Sequence, residues 1–221
     1  MARRRAVRPT DDERGPSGER SKSARTRERI LDAAAQVLNR KGYAGTRLGD
    51  IADVAEIQAP ALYYYFASRD ELIEEVVMVG QQATLEHVVA RLAALPAGSG
   101  AMDRIACAVA AHLEVVLSRS DYSSAAIRNA GQLPGHIRDR QLVGQRAYAD
   151  VWRTLIDDAV AAGEMTTDVD PRAARMLVMG ALNWAPEWWR PERGSLETVV
   201  ATTQQLVRHG LGVVGSPVSG P

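Results

Sequence analysis

Thr46-Arg47-Leu48-Gly49-Asp50-Ile51-Ala52-Asp53-Val54-Ala55-Glu56-Ile57-Gln58-Ala59-Pro60-Ala61-Leu62-Tyr63-Tyr64-Tyr65-Phe66 reads as two short helices separated by a tight break. Thr46 is a good N-cap for the first. Leu48, Ile51, Ala52 and Ala55 share one face of it, the face to be buried. Glu56-Ile57-Gln58-Ala59 interrupts the pattern, and Pro60 suits the first position of the next helix, where a missing N–H costs nothing. That helix ends near Phe66. Six or seven residues do not hold a helix alone in water, so it must pack on neighbours. One neighbour lies upstream, about Arg25 to Lys41, where Ile30, Ala34, Val37 and Leu38 form one apolar stripe before Gly42 ends it. Three short helices with the break between the second and third form a helix-turn-helix, which lays its third helix in a major groove.

The side chains fit that task. Tyr63, Tyr64 and Tyr65 are consecutive and sweep roughly 200° of helix surface, so at least one phenol points outward, where it can bond a phosphate oxygen. Arg47 opens the second helix, whose N-terminal N–H groups favour a phosphate. Gln58, Ala59 and Pro60 open the third, at the end that meets base edges. Ser68-Arg69-Asp70-Glu71 matches a capping box and starts a fourth helix toward Gly80.

Thr46 to Ala52 followed by Ala61 to Leu72 resembles the signature of the tetracycline-repressor (TetR) family, densely over 25–72. The resemblance implies phosphate contacts from Thr46, Tyr64 and Arg69. It places Arg47, Gln58, Ala59, Pro60 and Tyr63 against bases or nearby backbone. Where the family usually has Gly in the turn, this chain has Glu56. Glu56 must take a left-handed backbone at some cost or reshape the turn, and it sets a negative charge near DNA.

The remainder is also helical in pattern, so the fold class is all-α. Apolar runs at helical spacing cover about 81–95, 101–119, 121–131 and 138–162. Asp170-Pro171 caps a helix that is apolar nearly all round (Ala173 to Leu182), and such a helix is buried on both sides. One side can face a second copy of the chain. A last helix carries Leu196, Val199, Val200, Leu206 and Val207 in one stripe. Residues 1–24 read as a disordered basic arm, 25–72 as the DNA-binding unit, 73–211 as a ligand-binding and dimerisation domain, and 212–221 as a flexible tail. Residues 1–29 hold ten Arg or Lys against five acids, suited to lying along phosphates or to a solvated tail.

The TetR resemblance implies a homodimer through the last two long helices, a near-palindromic double-stranded operator, and a small-molecule effector rather than a cofactor. Gly180 to Pro191, with three of the four tryptophans within six residues, looks like a subset of that family that controls fatty-acid or steroid catabolism and responds to acyl-CoA thioesters. Met102, Leu113, Trp152, Met179 and Trp184 would help line an acyl tunnel. Arg190, Trp188 and Trp189 would meet CoA phosphate or adenine. The alternatives are an efflux-pump repressor that binds planar drugs, or an all-α enzyme acting on CoA thioesters.

Catalysis draws no support from the residues. The four histidines (His87, His112, His136, His209) lack ligand spacing, and no phosphate-cradling loop or nucleophile elbow occurs. His112 with Glu114 reads as an ordinary helix pair, and Cys107 as a small core residue. The formal net charge is zero, which excludes a protein that is basic throughout but allows a local basic patch. A single cysteine and the absence of an apolar leader or span point to a cytoplasmic protein.

Overall fold

The computed structural model describes residues 16–119 and 121–213. Among these the order is α1 (Pro16–Gly45), α2 (Leu48–Val54), α3 (Ala59–Tyr65), α4 (Arg69–Ala93), α5 (Ala101–Glu114) continued by a π-helical turn (Val115–Arg119), α6 (Asp121–Asn129), α7 (Gly135–Ala161), α8 (Pro171–Trp188), a 3₁₀ turn (Pro191–Arg193) and α9 (Leu196–Leu211). An isolated antiparallel bridge joins Met165 and Gly212. Among the described residues no helix is long and apolar enough to cross a membrane.

Three helix starts, those of α4, α8 and α9, follow local side-chain capping. Ser68 Oγ accepts from Glu71 N at 3.1 Å, while Glu71 Oε2 accepts from Ala67 N at 2.7 Å. Asp170 accepts from Ala173 N and Ser195 from Thr198 N in the same manner. Two boundaries differ from expectation. The α1 backbone is already helical at Pro16, so the expected disordered arm is helical over 16–24; no proline interrupts the chain from there to Gly42, and the packed turns propagate upstream. Residues 1–15 and 214–221 lie outside the described residues. The fourth helix does not stop at Gly80 but continues to Ala93. A Cβ on Gly80 would lie 2.2 Å from the Tyr122 carbonyl oxygen, so this glycine serves the close approach of α4 and α6.

Two apolar cores result. One joins Ile30, Val37 and Leu38 of α1, Ile51 of α2 and Leu62 of α3 to Leu72 and Val76 of α4, Ala125 of α6 and Ile137 of α7. The other joins Val88 of α4, Ile105 and Leu113 of α5, Trp152 and Ile156 of α7, Leu182 of α8 and Val207 of α9. The first core does not close at residue 72: α4 and α6 complete it. Asn129 of α6, itself buried, accepts from the Tyr43 backbone N–H at 2.8 Å and donates to the Ala125 carbonyl at 2.9 Å. It thus satisfies the chain just after Gly42, whose φ of 68° ends the regular part of α1.

Candidate nucleic-acid interface and internal cavity

The turn between α2 and α3 is built by backbone bonds. Ile57 N donates to Ala52 O at 3.0 Å and Glu56 N to Asp53 O at 3.2 Å, the paired bonds of a Schellman end. Glu56 stands at its left-handed position with φ 53°. Ile57 then tucks against the core, and Gln58 caps α3 with extended backbone but no side-chain bond. Pro60 sits at the second helical position, one beyond the expected first, where it also lacks nothing. Leu62 and Phe66 anchor α3 inward. Tyr63 and Tyr64 turn out, 63% and 81% exposed, and Tyr65 packs partly on the core with its ring edge-on to Tyr64 at 5.0 Å. Gln58, Ala59, Pro60 and Arg47 are exposed beside them. The head therefore exposes phenols, an amide and a guanidinium, groups that suit phosphates and base edges.

Behind the head lies a cavity of about 540 Å³, partly open to solvent and lined by α4, α5, α6, α7 and α8. Its size is that of a small-ligand site. Ala126, Ile127, Ala130, Trp152, Met179 and Trp184 supply apolar wall; Gln81, His112, Gln145, Tyr148, Arg175 and Asn183 supply polar groups. His112 is 0% exposed, and burial pulls its imidazole down to about 4, so the ring is neutral near pH 7. Burial pushes the Tyr148 phenol far upward, so it keeps its proton. The two groups meet at 2.7 Å (His112 Nδ1 to Tyr148 Oη) with their rings stacked at 5.9 Å. Ala126 and Ile127 of α6, with Ala130 just past its end, border the cavity while Ala125 and Asn129 serve the head core.

Two family models match: residues 30–76 match the tetR family of bacterial regulatory proteins, and residues 98–211 match a tetracycline repressor-like C-terminal domain. The chain belongs to the TetR family. The repressor KstR2 of Rhodococcus jostii is 25% identical over 218 residues, 95% of this chain and 97% of that protein. The solved structure of AibR in complex with isovaleryl coenzyme A and operator DNA superposes with a TM-score of 0.74 at 20% identity, covering 82% of this chain and 97% of that one. The ketosteroid transcriptional regulator KstR2 of Mycobacterium tuberculosis superposes with a TM-score of 0.74 at 18% identity, covering 85% and 95%.

Measured against this TetR fold, several expected site residues need correction. Thr46 does not cap α2 or reach outward: it is 0% exposed, its hydroxyl donates to the Gly42 carbonyl at 2.7 Å, and Arg47 takes the N-cap position. Arg69 is engaged within the protein as a clamp. Its guanidinium donates to Thr46 O at 3.2 Å, pairs with Asp70 at 3.2 Å and lies 4.4 Å from the Tyr43 ring centroid, tying α4 to the junction of α1 and α2. Met102 and Leu113 are buried in the second core and do not line the cavity. Trp188 and Arg190 are exposed outside it; the Arg190 guanidinium donates to the Trp189 carbonyl at 2.7 Å, and the Trp189 indole to Gly194 O at 3.1 Å. Trp152, Met179 and Trp184 do border it. The polar set was not foreseen, nor was the pairing of His112: Glu114 bonds His87 at 3.0 Å instead. Cys107 is half-buried, with Sγ 3.6 Å from the Arg91 carbonyl.

Proposed function

We propose that this protein is a homodimeric transcriptional repressor that reads a near-palindromic operator with α3 and is released from it by an acyl-CoA thioester. The outward pair Tyr63 and Tyr64 on a helix anchored from behind by Leu62 and Phe66 carries the reading. A phenol pair with no structural task in the core is placed for a polar partner, and Arg47 and Gln58 flank it. The similarity to KstR2 over nearly the whole chain and the likeness to AibR, whose structure holds isovaleryl coenzyme A and operator DNA, support the effector class.

Release follows from how α4 and α6 are shared. Each touches the cavity on one stretch and completes the head core on another. A ligand that pushes Ala126 and Ile127 outward moves Asn129 and with it the end of α1. The ligand must bind the DNA-incompetent arrangement better than the competent one; such coupling is typically about 1–3 kcal/mol. The test is fluorescence anisotropy with the promoter region next to the gene. The expected result is a saltable complex that acyl-CoA thioesters dissociate and cationic dyes do not. No complex at low salt would sink the repressor reading; release by dyes alone would replace the effector class.

A further inference from the structure

The cavity walls are mostly apolar, yet two buried polar atoms among them have no hydrogen-bond partner: His112 Nε2 and Gln81 Oε1. Buried polar atoms in folded proteins are nearly always satisfied, and exceptions call for an explanation. His112 is the more constrained of the two. It is fully buried, it borders the cavity, and its other ring nitrogen is already engaged by the Tyr148 hydroxyl at 2.7 Å.

That bond decides where the imidazole proton sits. A phenol can donate one proton, and the bare nitrogen of a neutral imidazole is a strong acceptor. Were Nδ1–H the donor, both the phenol proton and the Nε2 lone pair would be left unpaired, against Nε2–H alone in the other arrangement. The hydroxyl therefore donates to Nδ1, and the ring proton belongs on Nε2. Burial keeps the ring neutral. Nε2–H is then a donor at an apolar cavity wall, still lacking an acceptor. A neutral carbonyl oxygen supplies that acceptor without burying a charge, whereas a carboxylate or phosphate is drawn instead to Arg175, which also lines the cavity.

We propose that His112 Nε2–H, held as a donor by Tyr148, anchors the effector through a neutral carbonyl oxygen, so that the cavity selects thioesters or ring ketones over saturated counterparts of the same shape. This rests on the effector reading above and adds the atom recognised.

The experiment compares octanoyl-CoA with S-octyl-CoA, the thioether that lacks only the carbonyl. Androst-4-ene-3,17-dione serves as the ring-ketone probe. Binding is read from tryptophan fluorescence, since Trp152 and Trp184 border the cavity. The full-length protein should bind octanoyl-CoA about tenfold tighter than the thioether, the effect of one hydrogen bond whose loss leaves a buried donor unpaired. His112→Phe should bind the two equally, and His112→Gln, which keeps an N–H donor, should regain part of the preference. Tyr148→Phe leaves the wall in place but no longer fixes the proton on Nε2, so the preference should shrink; it decides the matter if His112→Phe fails to fold by circular dichroism. If the carbonyl comes from a ring, the dione binds instead, and His112→Phe weakens it about tenfold.

Equal binding of ester and thioether by the native protein, with dione binding unchanged in His112→Phe, overturns the anchor and leaves the effector reading standing. So does a preference that survives His112→Phe. Failure of every probe to bind the native protein overturns both.

Discussion

Tyr64 and Arg47 are both exposed on the head, and as the DNA contacts proposed above they would act by different physics. A guanidinium that neutralises a phosphate releases a counterion, and a neutral phenol releases none. Arg47→Ala is therefore expected to weaken operator binding and lower the slope of log K against log salt by about 1. Tyr64→Phe should weaken binding and leave the slope unchanged; anisotropy titrations across a salt series separate the two. Glu56 offers the opposite change. Its φ of 53° is a left-handed backbone that a side chain adopts at a cost of about 1 kcal/mol. Glu56→Gly should raise stability by about that much in urea unfolding, and should tighten DNA binding by removing a nearby negative charge. His112 sets a pH dependence. Its folded value of about 4 lies below the ordinary 6.5, so between these the unfolded chain takes a proton that the folded chain refuses. The stabilisation is full above pH 6.5 and is lost as pH falls toward 4, by about 3 kcal/mol at most. His112→Phe should flatten the urea-stability curve across that window relative to the native protein; parallel curves would refute the assignment.

At the scale of elements, Gly80 shows what local pattern conveys and what it conceals. A glycine inside a helical run looks like a helix end. Only the approach of the Tyr122 carbonyl, 2.2 Å from where a Cβ would stand, explains it as a packing residue within α4. Gly80→Ala must push α6 away from α4, because the obstacle is backbone rather than a flexible side chain. The expected loss is about 1–3 kcal/mol in thermal or urea unfolding. The same shift displaces Asn129, so operator affinity should fall as well. Starts of helices were legible because caps are local: Ser68 with Glu71, Asp170 with Ala173. The outward phenols were legible too, since three consecutive tyrosines cannot share one core. Thr46 was not, because a buried hydroxyl bonded to Gly42 and an exposed one bonded to phosphate look identical in sequence. Met102 and Leu113 have the residue types of a ligand tunnel and of a core alike, and the structure gives them to the core. The polar end of the cavity escaped notice because Tyr148 lies 36 positions from His112 and on another helix.

For the whole molecule the decisive surface is the outer side of α8. Leu177, Ala181, Trp184 and Trp188 recur every three or four residues and are all exposed, Leu177 at 74%. On α9, Leu206 is exposed at 68%. A monomeric protein rarely leaves so large an apolar stripe in water, and a two-fold axis lets the same stripe cover itself in a second copy. The stripe also borders the cavity through Trp184, so a second copy seated on it would lie beside the cavity. Dimerisation through this face brings two heads onto one operator, and the second head then binds at high effective concentration. Leu177→Glu combined with Leu206→Glu sets a carboxylate on each helix of this surface without touching either core. The variant should retain its helical circular dichroism, since neither side chain is buried. Sedimentation should show a monomer at concentrations where the native protein is dimeric. Operator affinity should fall by at least about a hundredfold, the scale of a lost bivalent advantage, while binding of octanoyl-CoA falls less than DNA binding because most of the cavity wall lies within one chain. A variant that still sediments as a dimer would place the association surface elsewhere on the molecule.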